Sequence, residues 1–144
     1  MANKLHVAII DDHRLFRNAL SSVISSFGYE VSMQCNNGKH FIDHLDEEHL
    51  PDIILMDIKM PEMDGIETTL WLKNNYPSIP VLALTIYDDD NLVKKIIESG
   101  AKGFVSKAAG PSEIKSAIKN IIRKDLPRTL KTENLLEKFR KLFS

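Results

Sequence analysis

The chain has 144 residues, 43% of them hydrophobic and 27% charged, with a formal net charge of −1. That length suits one globular domain with a sizeable core, and the near-zero charge argues for no class of partner. Cys35 is the only cysteine, which excludes an intramolecular disulfide and a cysteine-based metal site.

No apolar run approaches a membrane span, and MANKLHVAII leads directly into a strand rather than into a signal peptide. A reducing cytoplasm, with no membrane contact, is the expected setting. Charge is unevenly spread: residues 1–101 sum to −8 and residues 102–144 to +7. The basic end reads as the solvated faces of amphipathic helices, so no nucleic acid is expected to bind this segment itself.

In chain order, LHVAII (5–10) reads as a first strand. Residues 14–27 follow as a helix with Leu15, Phe16, Ala19, Leu20, Val23, Ile24 and Phe27 on one face, stopped by Gly28. YEVSMQC (29–35) is a more mixed strand, and residues 39–46 a weaker helix closed by DEEH and Pro51. DIILMD (52–57) is a continuous apolar strand, and residues 65–75 a helix that Tyr76-Pro77 must end. VLALT (81–85), a helix over 89–99 stopped at Gly100, GFVS (103–106) and a helix over 112–124 after Gly110-Pro111 complete the series. Continuous apolar strands alternating with helices predict a parallel α/β sheet covered on both faces, with its ligand site at the carboxyl ends of the strands. TENLLEKFRKLFS (132–144) forms one further amphipathic stripe, with Leu135, Leu136, Phe139, Leu142 and Phe143 in line. A helix so short needs something to pack on: its own domain, a second copy of the chain, or a segment absent from this sequence.

The strand ends carry the chemistry. The first strand ends in Asp11-Asp12 and the third in Asp57, so neighbouring parallel strands would converge three carboxylates on one rim. Two such charges 4 Å apart repel by about 4 kcal/mol at an effective dielectric near 20. Either some are protonated or a hard cation with open positions, of the Mg2+ type, sits among them. Asp11 or Asp12 could alternatively cap the helix starting near residue 13, but capping does not explain Asp57. Thr85 and Lys107 end the fourth and fifth strands. A hydroxyl and an ammonium beside a metal and a carboxylate suit a phosphoryl group. The histidines (6, 13, 40, 44 and 49) show no metal spacing tied to other ligands, and His40 and His44 read as a solvated helix face. No nucleotide P-loop, dinucleotide fingerprint, G-x-S-x-G or H-E-x-x-H is present.

IIDDHRLFR, DIILMDIKMPEMDG, LALT and GFVSK together resemble the receiver domain of bacterial two-component response regulators, over residues 5–124. DDHRLFR and GAKGFVSK resemble the subgroup with a C-terminal LuxR-type helix-turn-helix domain. The resemblance implies a flavodoxin-like doubly wound sheet in strand order 2-1-3-4-5, with five flanking helices plus an extra C-terminal helix. It implies a receiver over 1–126, with 127–144 as linker and amphipathic helix. Asp57 then matches the phosphoacceptor for a sensor histidine kinase, and Asp12 a direct Mg2+ ligand with Asp11 acting through water. Lys59 matches the position whose backbone carbonyl completes the metal shell. Thr85 and Lys107 match the pair that senses the phosphoryl oxygens, and Phe104 the aromatic whose rotamer follows Thr85.

Ile86 stands where the family mostly has a small residue and is expected to restrict access to Asp57. Tyr87 and Lys59 flank the site and should tune dephosphorylation. Ala108 stands where many members have proline, which leaves the geometry of its peptide bond open. The expected output is transcription through a DNA-binding domain, since the chain stops in mid-stripe at KLFS. A stand-alone receiver acting through protein contacts, and homodimerisation, are the alternatives. A Mg2+-dependent aspartyl phosphatase is disfavoured: such haloacid-dehalogenase-like enzymes carry D-x-D on the first strand and often a cap insertion, and neither occurs here. The receiver is expected to assist its own phosphorylation and dephosphorylation without being an enzyme.

Overall fold

A computed structural model describes residues 4–86 and 89–123. Five strands, β1 (His6–Ile10), β2 (Glu30–Cys35), β3 (Ile53–Asp57), β4 (Val81–Thr85) and β5 (Gly103–Ser106), alternate with five helices. The helices are α1 (Arg14–Ser26), α2 (Gly38–His44), α3 (Gly65–Asn75), α4 (Asp90–Glu98) and α5 (Pro111–Ile122). All strand pairs are parallel, in the order β2-β1-β3-β4-β5. This is the flavodoxin-like doubly wound sheet that the sequence predicts. The linker and helix expected over 127–144 lie outside the described residues.

The strand sequences explain the layering. β3 and β4 are buried at every position, as their uninterrupted apolar runs require. β2 alternates exposed and half-buried residues, with only Cys35 buried, because it is an edge strand, and its register slips between Val7 and Ala8 of β1. Successive side chains point to opposite faces. Ala8, Ile10, Ile54, Met56 and Ala83 therefore pack with Phe41 of α2, Leu72 of α3 and Ile96 of α4. Val7, Ile9, Ile53, Leu55, Leu82, Leu84 and Val105 pack with Leu20 and Ile24 of α1 and Ile114 and Ile118 of α5.

The predicted face of α1 needs correction. Leu20 and Ile24 are buried with Phe16 and Phe27 packed beside them, but Leu15 is 86% exposed and Ala19 is also exposed. The contact stripe runs through 16, 20, 24 and 27, and the series 15 and 19 falls one step round the helix. The capping alternative for the paired acids is not realised. Neither Asp11 nor Asp12 caps α1: its N-cap is His13, which makes no side-chain cap hydrogen bond. Asn37, Asp64 and Asp89 do cap α2, α3 and α4 through their side chains.

Candidate functional site

The carboxyl ends of β1, β3, β4 and β5 form one rim. Ile10 of β1 pairs with Met56 of β3, and Asp57 pairs with Leu84 of β4. Asp11, Asp57 and Lys107 each continue the alternation that faces α1 and α5, so their side chains meet. Lys107 Nζ lies 2.6 Å from Asp11 Oδ2 and 3.4 Å from Asp57 Oδ2. Donor atoms of Asp11, Asp12, His13 and Asp57 all lie within 4.8 Å of one another.

The cluster is held from outside by main-chain bonds. The Asp11 N–H donates to the Cys35 carbonyl of β2 at 3.0 Å, and Arg17 Nη1 donates to the Asp11 carbonyl at 2.6 Å. The Ile58 N–H donates to Asp57 Oδ1 at 2.9 Å. The Lys107 N–H donates to the Thr85 carbonyl at 2.9 Å, which fixes β5 against β4 where both leave the sheet. Lys107 Nζ also stands 4.6 Å above the centre of the Phe16 ring, a cation–π contact that keeps the ammonium over the rim.

Loop β3–α3 is shaped by Pro61, Asp64 and Gly65. Asp64 Oδ1 accepts the Glu67 N–H at 2.9 Å, and the Gly65 N–H donates to the Ile58 carbonyl at 2.7 Å. A Cβ on residue 65 would overlap the Asp57 carbonyl oxygen and press on Ile58 Cα. α3 therefore begins directly against the main chain of Asp57.

Electrostatically the rim is loaded. Burial, with the Asp11 carboxylate beside it, pushes the Asp57 carboxyl up to about 7, against the pull of Lys107. Asp11 is fully buried, yet neither its Oδ2 nor Asp12 Oδ1 accepts a hydrogen bond. Lys107 neutralises Asp11 Oδ2 by charge while standing outside hydrogen-bonding geometry. Buried carboxylate oxygens left without donors fit a hard divalent cation, so the acids present suit Mg2+. Cys35 does not join them: burial pushes its thiol up to about 11, which leaves it protonated and inert.

Thr85 is buried at the end of β4, and Phe104 on β5 pairs with Ala83 and packs into the core on the α2–α4 side. Lys59 is exposed just beyond β3, and Ile86 is 63% exposed beside the rim. Tyr87 lies outside the described residues. The described residues contain no cis peptide bond, which settles Lys107–Ala108 as trans. Although the histidines show no metal spacing in the sequence, the structure brings His13 to the acids: its Nδ1 lies 3.3 Å from Asp11 Oδ1 and 3.4 Å from Asp12 Oδ1. No spacing rule finds this, because the clustered donors are consecutive residues of one turn joined by Asp57 from another strand. Phe16 and Arg17 were likewise readable only as helix residues. His40 and His44 stack edge to face at 4.5 Å between ring centres, and His44 Nδ1 bonds the His40 carbonyl at 2.9 Å.

The sequence pattern of the response regulator receiver domain matches residues 7–119. The transcriptional regulatory protein DegU of Brevibacillus brevis is 34% identical over 144 residues, covering 97% of this chain and 60% of its own length. The chemotaxis protein CheY of Thermotoga maritima is 32% identical over 115 residues, covering 80% of this chain and 95% of its own. A two-component response regulator of the LuxR family from Aurantimonas sp. SI85-9A1 superposes with a TM-score of 0.76 at 28% identity, covering 83% of this chain and 86% of its own. The chain thus spans a little over half the length of DegU and of the response regulator GacA of Pseudomonas viridiflava, at 60% and 54%. None of the described helices is long and apolar enough to cross a membrane. With its five-stranded parallel sheet and its acidic rim, the chain belongs to the response regulator receiver domain family.

Proposed function

We propose that this receiver is switched by phosphorylation of Asp57, with Mg2+ held by Asp57, Asp12, Asp11 through water, and the Lys59 carbonyl. The observation that carries the reading is Asp57 itself: a buried carboxylate at the end of a central strand, facing two further acids and a lysine. Bound Mg2+ would neutralise oxygens of an incoming phosphoryl group. The Asp57 carboxylate attacks phosphorus, the P–N bond of a sensor kinase phosphohistidine breaks, and its electron pair leaves with the imidazole. Lys107 and Thr85 donate hydrogen bonds to phosphoryl oxygens. The product adds roughly one negative charge at the rim. Thr85 is drawn inward, and Phe104 turns into the space it leaves, changing the α4–β5–α5 surface.

That surface controls the output. DegU, a transcriptional regulator by name, supports transcription through a DNA-binding domain outside these 144 residues. CheY, matched over 95% of its length, supports the second reading, a receiver that acts alone through protein contacts.

The test is labelling with a small phosphodonor such as acetyl phosphate. One base-labile phosphoryl group per chain is expected, dependent on Mg2+ and absent from Asp57→Asn. Wild-type labelling of Asp57→Asn overturns the reading, and sustained hydrolysis of a phosphomonoester would favour a phosphatase instead. Ile86 supplies a further prediction: its exposed bulk at the rim hinders access, so Ile86→Ala labels several-fold faster than wild type. Equal rates remove Ile86 from the tuning of the site.

A further inference from the structure

We infer that His13 is a fourth protein donor to the divalent cation, giving this site a preference for first-row transition ions over Mg2+. The inference rests on the proposed cation site and concerns what that site selects.

The geometry comes first. An octahedral ion with bonds of about 2.1 Å places adjacent donors about 3 Å apart and opposite donors about 4.2 Å apart. His13 Nδ1 lies 3.3 and 3.4 Å from carboxylate oxygens of Asp11 and Asp12, and all four residues offer atoms within 4.8 Å. The ring is not there by default. The His13 N–H donates to Asp11 Oδ1 at 2.8 Å, tying residue 13 to the acid. As N-cap of α1, its side chain has no capping duty. Its Nδ1 also approaches Lys107 Nζ to 3.5 Å, so it faces the place where all the charges converge.

Three carboxylates and one ammonium leave a formal charge of −2, which a divalent ion cancels. A neutral imidazole adds a ligand without overcompensating. Carboxylates and carbonyls alone suit Mg2+, which holds waters and rarely takes nitrogen, whereas imidazole favours first-row transition ions. Asp12 Oδ1, a buried oxygen that accepts no hydrogen bond, is a separate sign that a cation belongs there.

The experiment uses the 144-residue chain with Mn2+, Co2+ and Mg2+ as probes. Pulsed electron spin resonance of the Mn2+ complex should show modulation from a directly bound 14N nucleus in wild type, lost in His13→Ala. By calorimetry, His13→Ala should weaken Co2+ at least about 10-fold, as losses at metal sites commonly do, and change Mg2+ by less than about twofold. Mn2+ bound to wild type without nitrogen coupling overturns the inference while leaving the cation site in place. Failure of wild type to bind any of the three ions, or unchanged binding by Asp12→Asn, refutes the cation site itself and the inference with it.

Discussion

Asp57→Asn should stabilise the chelated protein by about 1–3 kcal/mol at pH 8, with the gain shrinking towards zero as the pH falls to 4. The sign follows from the buried carboxyl. In the unfolded chain Asp57 titrates near the ordinary carboxyl value of 3.8; in the fold it is pushed up to about 7. The native state therefore holds the proton more tightly, and wild-type stability falls as the pH rises through that interval. Each pH unit costs about 1.4 kcal/mol, an upper bound of about 4 kcal/mol that Lys107 reduces by rearranging around the charge. Below the unfolded value both states are protonated and the substitution changes little. Urea denaturation in EDTA at pH 8 and pH 4 measures both arms. Adding Mg2+ should restore wild type more than the variant. Destabilisation of Asp57→Asn at both pH values would show that the carboxylate is comfortable in the cation-free fold.

Gly65→Ala should cost roughly 3 kcal/mol or more, above the usual range for a single added methyl. Most overpacked sites yield because a neighbouring side chain swings away. Here the added carbon meets the Asp57 carbonyl oxygen and Ile58 Cα, which are backbone atoms of a central strand end. The helix must lift or the strand must bend, and either movement displaces Asp57. Labelling should therefore fall together with stability. Gly110→Ala is the control: nothing lies within 4 Å of a Cβ there, its φ is −73°, and a change within about 0.5 kcal/mol is expected. Denaturation midpoints of the two variants decide it; a Gly65→Ala protein as stable as Gly110→Ala would remove the steric argument.

Much of this was legible in the sequence because the fold writes itself in period and punctuation. β3 and β4 are buried on both faces, so IILMD and VLALT are unbroken apolar runs. Gly28 and Gly100 mark helix ends with positive φ. The rim was legible because each member ends a strand, and parallel strands deliver their ends to one side. What failed was local. Leu15 and Ala19 were assigned to the core because the stripe of α1 is wide enough to admit two neighbouring rows, and only packing chooses between them. His13 escaped because ligand spacing describes residues one turn apart, whereas this turn folds three consecutive residues around one point. The reach of Lys107 to Phe16 and of Arg17 to the Asp11 carbonyl depends on side chains crossing between elements, which no pattern along the chain reports.

The alternation of the strands has one more effect. Asp11, Asp57 and Lys107 continue the rows that face α1 and α5, through Val7, Ile9, Leu55 and Val105. Thr85 continues the row of Ala83, and Phe104 lies in that same layer with α4. On the proposed reading, the load arrives on one side of a sheet one residue thick and the sensor answers on the other. Substitutions beside α1 can retune how the signal is written and those beside α4 how it is read, while α5 packs on the first layer and also borders the proposed α4–β5–α5 surface, so it couples the two.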